Sequence, residues 1–208
     1  MLFNQGESKM KRFALILMVL AAFTTTAAAE GMMVGAKGGL NIAKAYGDDV
    51  PDEADWAYGF IGGGFFNYMF AEMFAVQPEL LYAMRGWKIT AADDSEIDVK
   101  LNYIEIPVLL KVMIPTEGMI DPSIFAGPSI GFLMTAEAED EDIKDELKST
   151  DFGLVVGAGV DYMLEDGKGA IMLDARYSLG LTTLDDTADE ADVKNNGISV
   201  MVGYGCAF

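Results

Sequence analysis

The stretch GISVMVGYGCAF, residues 197–208, carries Ile198, Val200, Val202, Tyr204, Cys206 and Phe208 on every second position, with Ser, Met, Gly and Ala between them. Side chains alternate faces along a strand, so the spacing predicts a strand with one apolar face and one face of mainly small residues. The last residues of a soluble domain usually fray. An apolar face carried to Phe208 instead asks for apolar surroundings along the whole strand, and lipid supplies them.

The same pattern recurs upstream. Eight low-charge stretches are predicted as strands, at roughly 32–43, 57–68, 74–87, 99–114, 122–136, 151–163, 170–182 and 197–208. In residues 101–114, Ile104, Ile106, Val108, Leu110 and Val112 share a face opposite Glu105 and Lys111. In 122–135, Ile124, Ala126, Pro128, Ile130, Phe132 and Met134 oppose Ser123, Gly127, Ser129 and Gly131. In 151–163, Phe152, Leu154, Val156, Ala158, Val160 and Tyr162 oppose Asp151, three glycines and Asp161. The stretch from 57 to 68 is too rich in glycine for its alternation to fix a register.

Connections alternate in length. Those after the second, fourth and sixth strands are short (MFAEM, PTEGMID, LEDGKG), and the others are long and acidic, as in AEDEDIKDELKS (138–149) and TLDDTADEADVKNN (183–196). An even number of antiparallel strands with short turns at one end and long loops at the other describes an up-and-down transmembrane barrel. The predicted fold class is therefore all-β, an eight-stranded antiparallel barrel of outer-membrane type. Trp56, Tyr58, Trp87, Tyr103 and Phe152 fall toward the long-loop ends, and Phe66, Tyr68, Phe70, Phe74, Tyr162 and Phe208 toward the short-turn ends. Two aromatic girdles at the lipid headgroups follow from that placement.

The formal net charge is −19, which argues against a nucleic-acid partner, because phosphate binding needs a basic surface. The acids are unevenly placed. Opposite the apolar faces, Lys37, Arg85, Lys111 and Arg176 stand against Glu79, Glu105, Asp161 and Asp174, a balanced set. Nearly all remaining charge falls in the loops and turns. Charge inside a narrow barrel has to be paired, so these eight residues are expected to form a structural charge network in the lumen.

The N-terminus reads as an export signal. Lys9, Lys11 and Arg12 precede the apolar run FALILMVLAAF (13–23), and Ala27, Ala28 and Ala29 supply a small-residue cleavage site. Residues 1–29 are expected to be removed, leaving 30–208 as the barrel domain, and Met10 would make a more compact start than Met1. The apolar run is too short to span a bilayer as a helix.

PELLYAMRGW (78–87), NYIEIPVLLKV (102–112), IFAGPSIGFLM (124–134) and FGLVVGAGVDY (152–162) resemble the porin-like, PorT-type outer-membrane β-barrel family frequent in Bacteroidetes. The resemblance covers essentially the whole chain after residue 29 and implies a small eight-stranded barrel in the outer membrane of a Gram-negative bacterium. It brings no functional residues with it. The terminal residues Val202, Tyr204, Cys206 and Phe208 also resemble the signal read by the barrel assembly machinery during insertion.

The chain has no histidine, which removes Ser–His and Cys–His nucleophile pairs and the usual zinc sites. No catalytic, cofactor-binding or metal-binding residue is expected, and the protein is expected not to be an enzyme. The run EAEDEDIKDE (137–146) is expected to be a solvated, mutually repelling loop, with divalent cations bridging such carboxylates to lipopolysaccharide as the sharper alternative. The expected role is a monomeric structural or surface-interaction element in contact with outer-membrane lipid and lipopolysaccharide. Two alternatives remain open: a narrow or gated transport pore, and a soluble lipocalin-like carrier with its apolar faces turned inward.

Overall fold

The computed structural model describes residues 31–50, 54–90, 96–114, 116–139, 141–164, 169–186 and 191–208. The signal segment expected at 1–29 lies outside the described residues. Eight long strands form the body: β1 (Met32–Tyr46), β2 (Ala54–Ala71), β3 (Phe74–Thr90), β4 (Glu96–Met113), β5 (Ile120–Ala138), β7 (Thr150–Met163), β8 (Gly169–Gly180) and β9 (Lys194–Ala207). A two-residue strand β6 (Glu141–Asp142) extends the edge of β5 beyond the barrel. All pairings are antiparallel, in the order β4-β3-β2-β1-β9-β8-β7-β5, and β4 pairs with β5 to close the ring. Each long strand thus has two partners, so no edge is left for lipid, which offers no hydrogen bonds.

The strands run 12–19 residues, against the ~9–11 that cross a bilayer. They exceed the sequence-based bounds by a few residues, mostly at the long-loop ends. Polar residues continue the ladder there, because a strand already paired on both sides propagates beyond the apolar stretch.

The apolar faces point outward: Leu40 is 67% exposed, Ile124 59%, Val202 58% and Leu80 58%. A soluble carrier needs the reverse arrangement, so that alternative does not hold. In the glycine-rich β2, the even positions Tyr58, Phe60, Tyr68 and Phe70 face outward, while Ile61, Phe65 and Asn67 are buried inside. A register shift against β3 between Trp56 and Ile61 explains why alternation could not be followed across it.

Two aromatics expected in the girdles lie elsewhere. Tyr103 is 1% exposed and belongs to an interior cluster with Leu101 and Leu133, and Trp87 packs against that cluster. Both sit on the inward side at the long-loop end, where apolar side chains fill the barrel mouth.

The interior fits because large side chains lie beside glycines. Lys37 pairs across the sheet with Gly63 and Gly203, Asp174 with Gly159, and Arg176 with Gly157. A Cβ at Gly157 would stand 2.5 Å from the Phe125 ring and 2.6 Å from the Ala175 carbonyl. At the lipid-facing Gly64 the nearest atom would be 3.6 Å away. Gly157→Ala is therefore expected to cost ~1–3 kcal/mol by overpacking, with Gly64→Ala within ~0.5 kcal/mol of wild type, measured by urea unfolding in lipid vesicles.

Candidate functional site

Alternation places each charged residue on the inner face, and strand stagger sets its height. The eight predicted lumen residues do not form one network. They separate into three neutral groups stacked along the barrel.

The central group contains Lys37 on β1, Glu79 on β3, and Asp174 and Arg176 on β8. Lys37 Nζ lies 2.9 Å from Glu79 Oε1 and 2.6 Å from Asp174 Oδ2. Arg176 Nη1 lies 2.7 Å from Glu79 Oε2, and its Nη2 reaches Asp174 Oδ2 at 3.2 Å. All four side chains are at most 3% exposed. In the ring order β3 and β8 are diametrically opposed, so the Glu79–Arg176 contact crosses the whole lumen.

Neighbours hold these groups in place. Gln77 Nε2 donates to Glu79 Oε1 at 2.7 Å, and Asn67 Nδ2 donates to Gln77 Oε1 at 3.0 Å. The Lys37 ammonium lies 4.9 Å from the Phe65 ring centre, and the Arg176 guanidinium 5.3 Å from that of Phe125. The rings contribute their negative faces and exclude water. Sequence reasoning placed neither ring inside. The signal for Phe125 was its odd position between Ser123 and Gly127.

Toward the short turns, Lys111 on β4 meets Asp161 on β7 at 2.7 Å. Toward the long loops, Arg85 on β3 meets Glu105 on β4 at 2.5 Å. Asp151, opposite the apolar face of its strand, is absent from the balanced set of eight. It lies on the inner face beside Arg85 and Glu105, and accepts a hydrogen bond from Thr182 Oγ1 at 2.6 Å. The balance of four positive and four negative interior charges therefore needs correction, because Asp151 adds a fifth acid.

The long-loop end is capped. Ile143, Leu147 and Val193 pack on the buried cluster of Val99, Leu101, Tyr103, Leu133, Ala136 and Leu184. Leu147 bridges Asp185, Lys148 N donates to Leu184 O at 2.8 Å, and Asp186 N donates to Glu146 O at 3.0 Å. The run from 137 to 146 is accordingly not a freely solvated loop. It forms β6 and a 3-10 turn at Lys144–Glu146, because Ile143 within the run and Leu147 just after it anchor it to the mouth. Asp192 N donates to Asp49 Oδ2 at 2.7 Å, tying in the first long loop. The Lys194 side chain bonds the exposed Asp192 carboxylate and holds its pKa below the ordinary value.

Among the described residues, no three His, Cys, Asp or Glu side chains gather closely enough to hold a metal ion. Val202, Tyr204, Cys206 and Phe208 all point outward, and Phe208 N donates to Met32 O at 3.1 Å.

The closed barrel, its outward apolar band and its paired interior agree with the comparisons to known proteins. A family model described as "Outer membrane protein beta-barrel domain" matches residues 23–186. The chain belongs to that family. Among solved structures of this outer-membrane class, Neisserial surface protein A is similar over 86% of this chain and 97% of its own, with 19% identity and a TM-score of 0.57. OprG from Pseudomonas aeruginosa matches over 86% and 96%, with 16% identity and a TM-score of 0.54. Outer Membrane Protein W of E. coli matches over 86% and 98%, with 14% identity and a TM-score of 0.50. At such identities the likeness concerns the fold. No curated protein matches the chain in sequence. The family and the fold together place this outer-membrane barrel domain in the outer membrane.

The isolated Lys111–Asp161 pair gives a clean test of interior electrostatics. Removing one partner leaves an uncompensated buried charge at a cost of ~3–5 kcal/mol, whereas replacing both with apolar groups is often nearly neutral. Lys111→Met is expected to lower the urea midpoint strongly, and Lys111→Met combined with Asp161→Leu to recover most of the loss.

Proposed function

We propose that the chain is a PorT-type member of its family and acts as a non-catalytic structural and surface-contact element of the outer membrane, with a closed lumen. The observation supporting this reading is the Glu79–Arg176 contact between opposed strands, with an ion pair on either side of it and an apolar cap over the long-loop end. Small barrels of about eight strands have interiors just wide enough for side chains to fill. The loops then remain as the part that meets other molecules. Exposed acids among the described loop residues, such as Glu141, Asp142, Asp145 and Glu146, are in this reading available to lipopolysaccharide, with divalent cations shared between the two. The barrel is monomeric in this proposal.

Planar-bilayer recording tests the closed lumen. Purified protein is expected to give no single-channel steps at any voltage, and ion-selective steps abolished by blocking the lumen would establish the pore instead.

Export and insertion complete the proposal. Residues 1–29 act as a signal peptide cleaved after Ala29, and Val202, Tyr204, Cys206 and Phe208 form the surface that the barrel assembly machinery recognises. Phe208→Ala is expected to reduce the heat-modifiable membrane band several-fold while leaving refolding in detergent unchanged. Equal membrane insertion of the variant and wild type would remove the terminal residue from that role.

A further inference from the structure

The inner face at the short-turn end carries methionine on four strands. Met113 and Met163 are the last residues of β4 and β7, Met69 lies near the end of β2, and Met33 near the start of β1. Their cross-strand partners Ser123, Ala170, Ala75 and Asn67 are buried residues of the inner wall, so the four methionines face inward with them. They also share a level. Met69 N donates to Gly31 O at 2.8 Å, Met113 N to Met73 O at 2.8 Å and Met163 N to Met119 O at 2.7 Å. Each of those acceptors immediately precedes a strand leaving the short-turn end, so the three methionines occupy equivalent last rungs of the wall. Met69 and Met163 stand on opposed strands, and an eight-stranded interior is narrow enough for side chains from facing walls to meet. Small neighbours leave the thioethers room: Met33 Sδ lies 2.5 Å from where a Cβ on Gly205 would stand. All four residues are half-buried at the mouth, and the Lys111–Asp161 pair closes the lumen above them. Methionine fills irregular gaps, but leucine would fill this mouth as well, and what methionine adds is a sulfur donor. Asp121 lies at the same end of β5, opposite Asp161. Its Oδ1 accepts Thr116 N at 3.1 Å, and among the described residues it forms no ion pair, so it places one negative charge beside the ring.

We propose that this ring binds one copper(I) ion through the thioether sulfurs of Met33, Met69, Met113 and Met163. Thioethers are soft, uncharged donors that select copper(I) over the hard cations preferred by oxygen. The chain has no histidine, so no imidazole is present to draw zinc or copper(II) instead. The single cysteine, Cys206, is exposed on the outer face. Asp121 balances the single charge of the ion. Binding involves no electron transfer, and the site is independent of what the loops contact and of whether the lumen conducts.

The test uses silver(I), which has the charge and softness of copper(I) and keeps its oxidation state. The purified barrel is refolded in detergent in a nitrate buffer free of chloride, with Cys206→Ala removing the one competing thiol. Isotope-labelled methionine methyl groups are followed by NMR. The resonances of Met33, Met69, Met113 and Met163 are expected to shift saturably at one ion per chain, and those of the lipid-facing Met84 and Met134 to stay in place. Met69→Leu combined with Met113→Leu keeps the side-chain volume. Even outer partners of metal ligands are worth ~10–100-fold in affinity, so losing two donors is expected to weaken silver binding by at least about tenfold. Should the double variant fail to fold, Met33→Leu alone is expected to weaken binding several-fold. The absence of a saturable shift would overturn the proposal, as would equal shifts at Met84 and Met134, or unchanged silver affinity in the leucine variants. Excess sodium or zinc nitrate is expected to leave the shifts intact, and displacement of silver by either would overturn the assignment to a soft ion.

Discussion

The contact between Glu79 and Arg176 is the interaction on which the rest of the structure depends. Closing eight strands into a ring satisfies every backbone edge but encloses a space that must be filled without leaving bare charge. A glutamate on β3 that reaches an arginine on β8 spans that space completely. The glycines on neighbouring strands follow from it, since the walls must recede where the charged side chains lie. Phe65 and Phe125 follow as well, because cations in a dry interior gain from aromatic faces beside them.

Much of this was legible in the sequence because a barrel wall has a period of two and each side of it meets a different solvent. Alternation on β4, β5, β7 and β9 identified the outward face and the number of strands. Alternation gives the side of the sheet a residue occupies and leaves its height undetermined. Height depends on stagger between strands, which sequence spacing does not encode. For this reason the lumen charges could be assembled as a set, while their division into a central four and two outlying pairs could not. Tyr103 illustrates a second limit. Its odd position marked it as inward, yet its place near a strand end suggested a girdle, and the apolar filling of the mouth decided between them.

Asp151 and Ile143 show where the boundary between strand and loop obscured the chemistry. Asp151 directly follows an acidic run, and its parity on β7, opposite Phe152 and Leu154, turns it into the barrel, where the balanced set of lumen charges did not include it. Ile143 and Leu147 lie four residues apart within that run, the one feature suggesting that it is anchored and not merely solvated. The β2 register was obscured for a different reason. A bulge changes parity, and glycines carry no hydropathy by which the change could be seen.

The pairing of β1 with β9 has a kinetic consequence. Met33 lies opposite Ala207 and Tyr46 opposite Lys194, so the seam joins segments from nearly opposite ends of the chain. Every other barrel-strand pairing joins consecutive long strands and can form as a local hairpin. The seam requires the largest loop closure in the molecule and is the pairing expected to form slowly. Until it forms, both flanking strands expose open edges, which lipid cannot satisfy. Completion of the wall is therefore a late and cooperative event, and the half-built sheet is the species most prone to pair with the wrong partner.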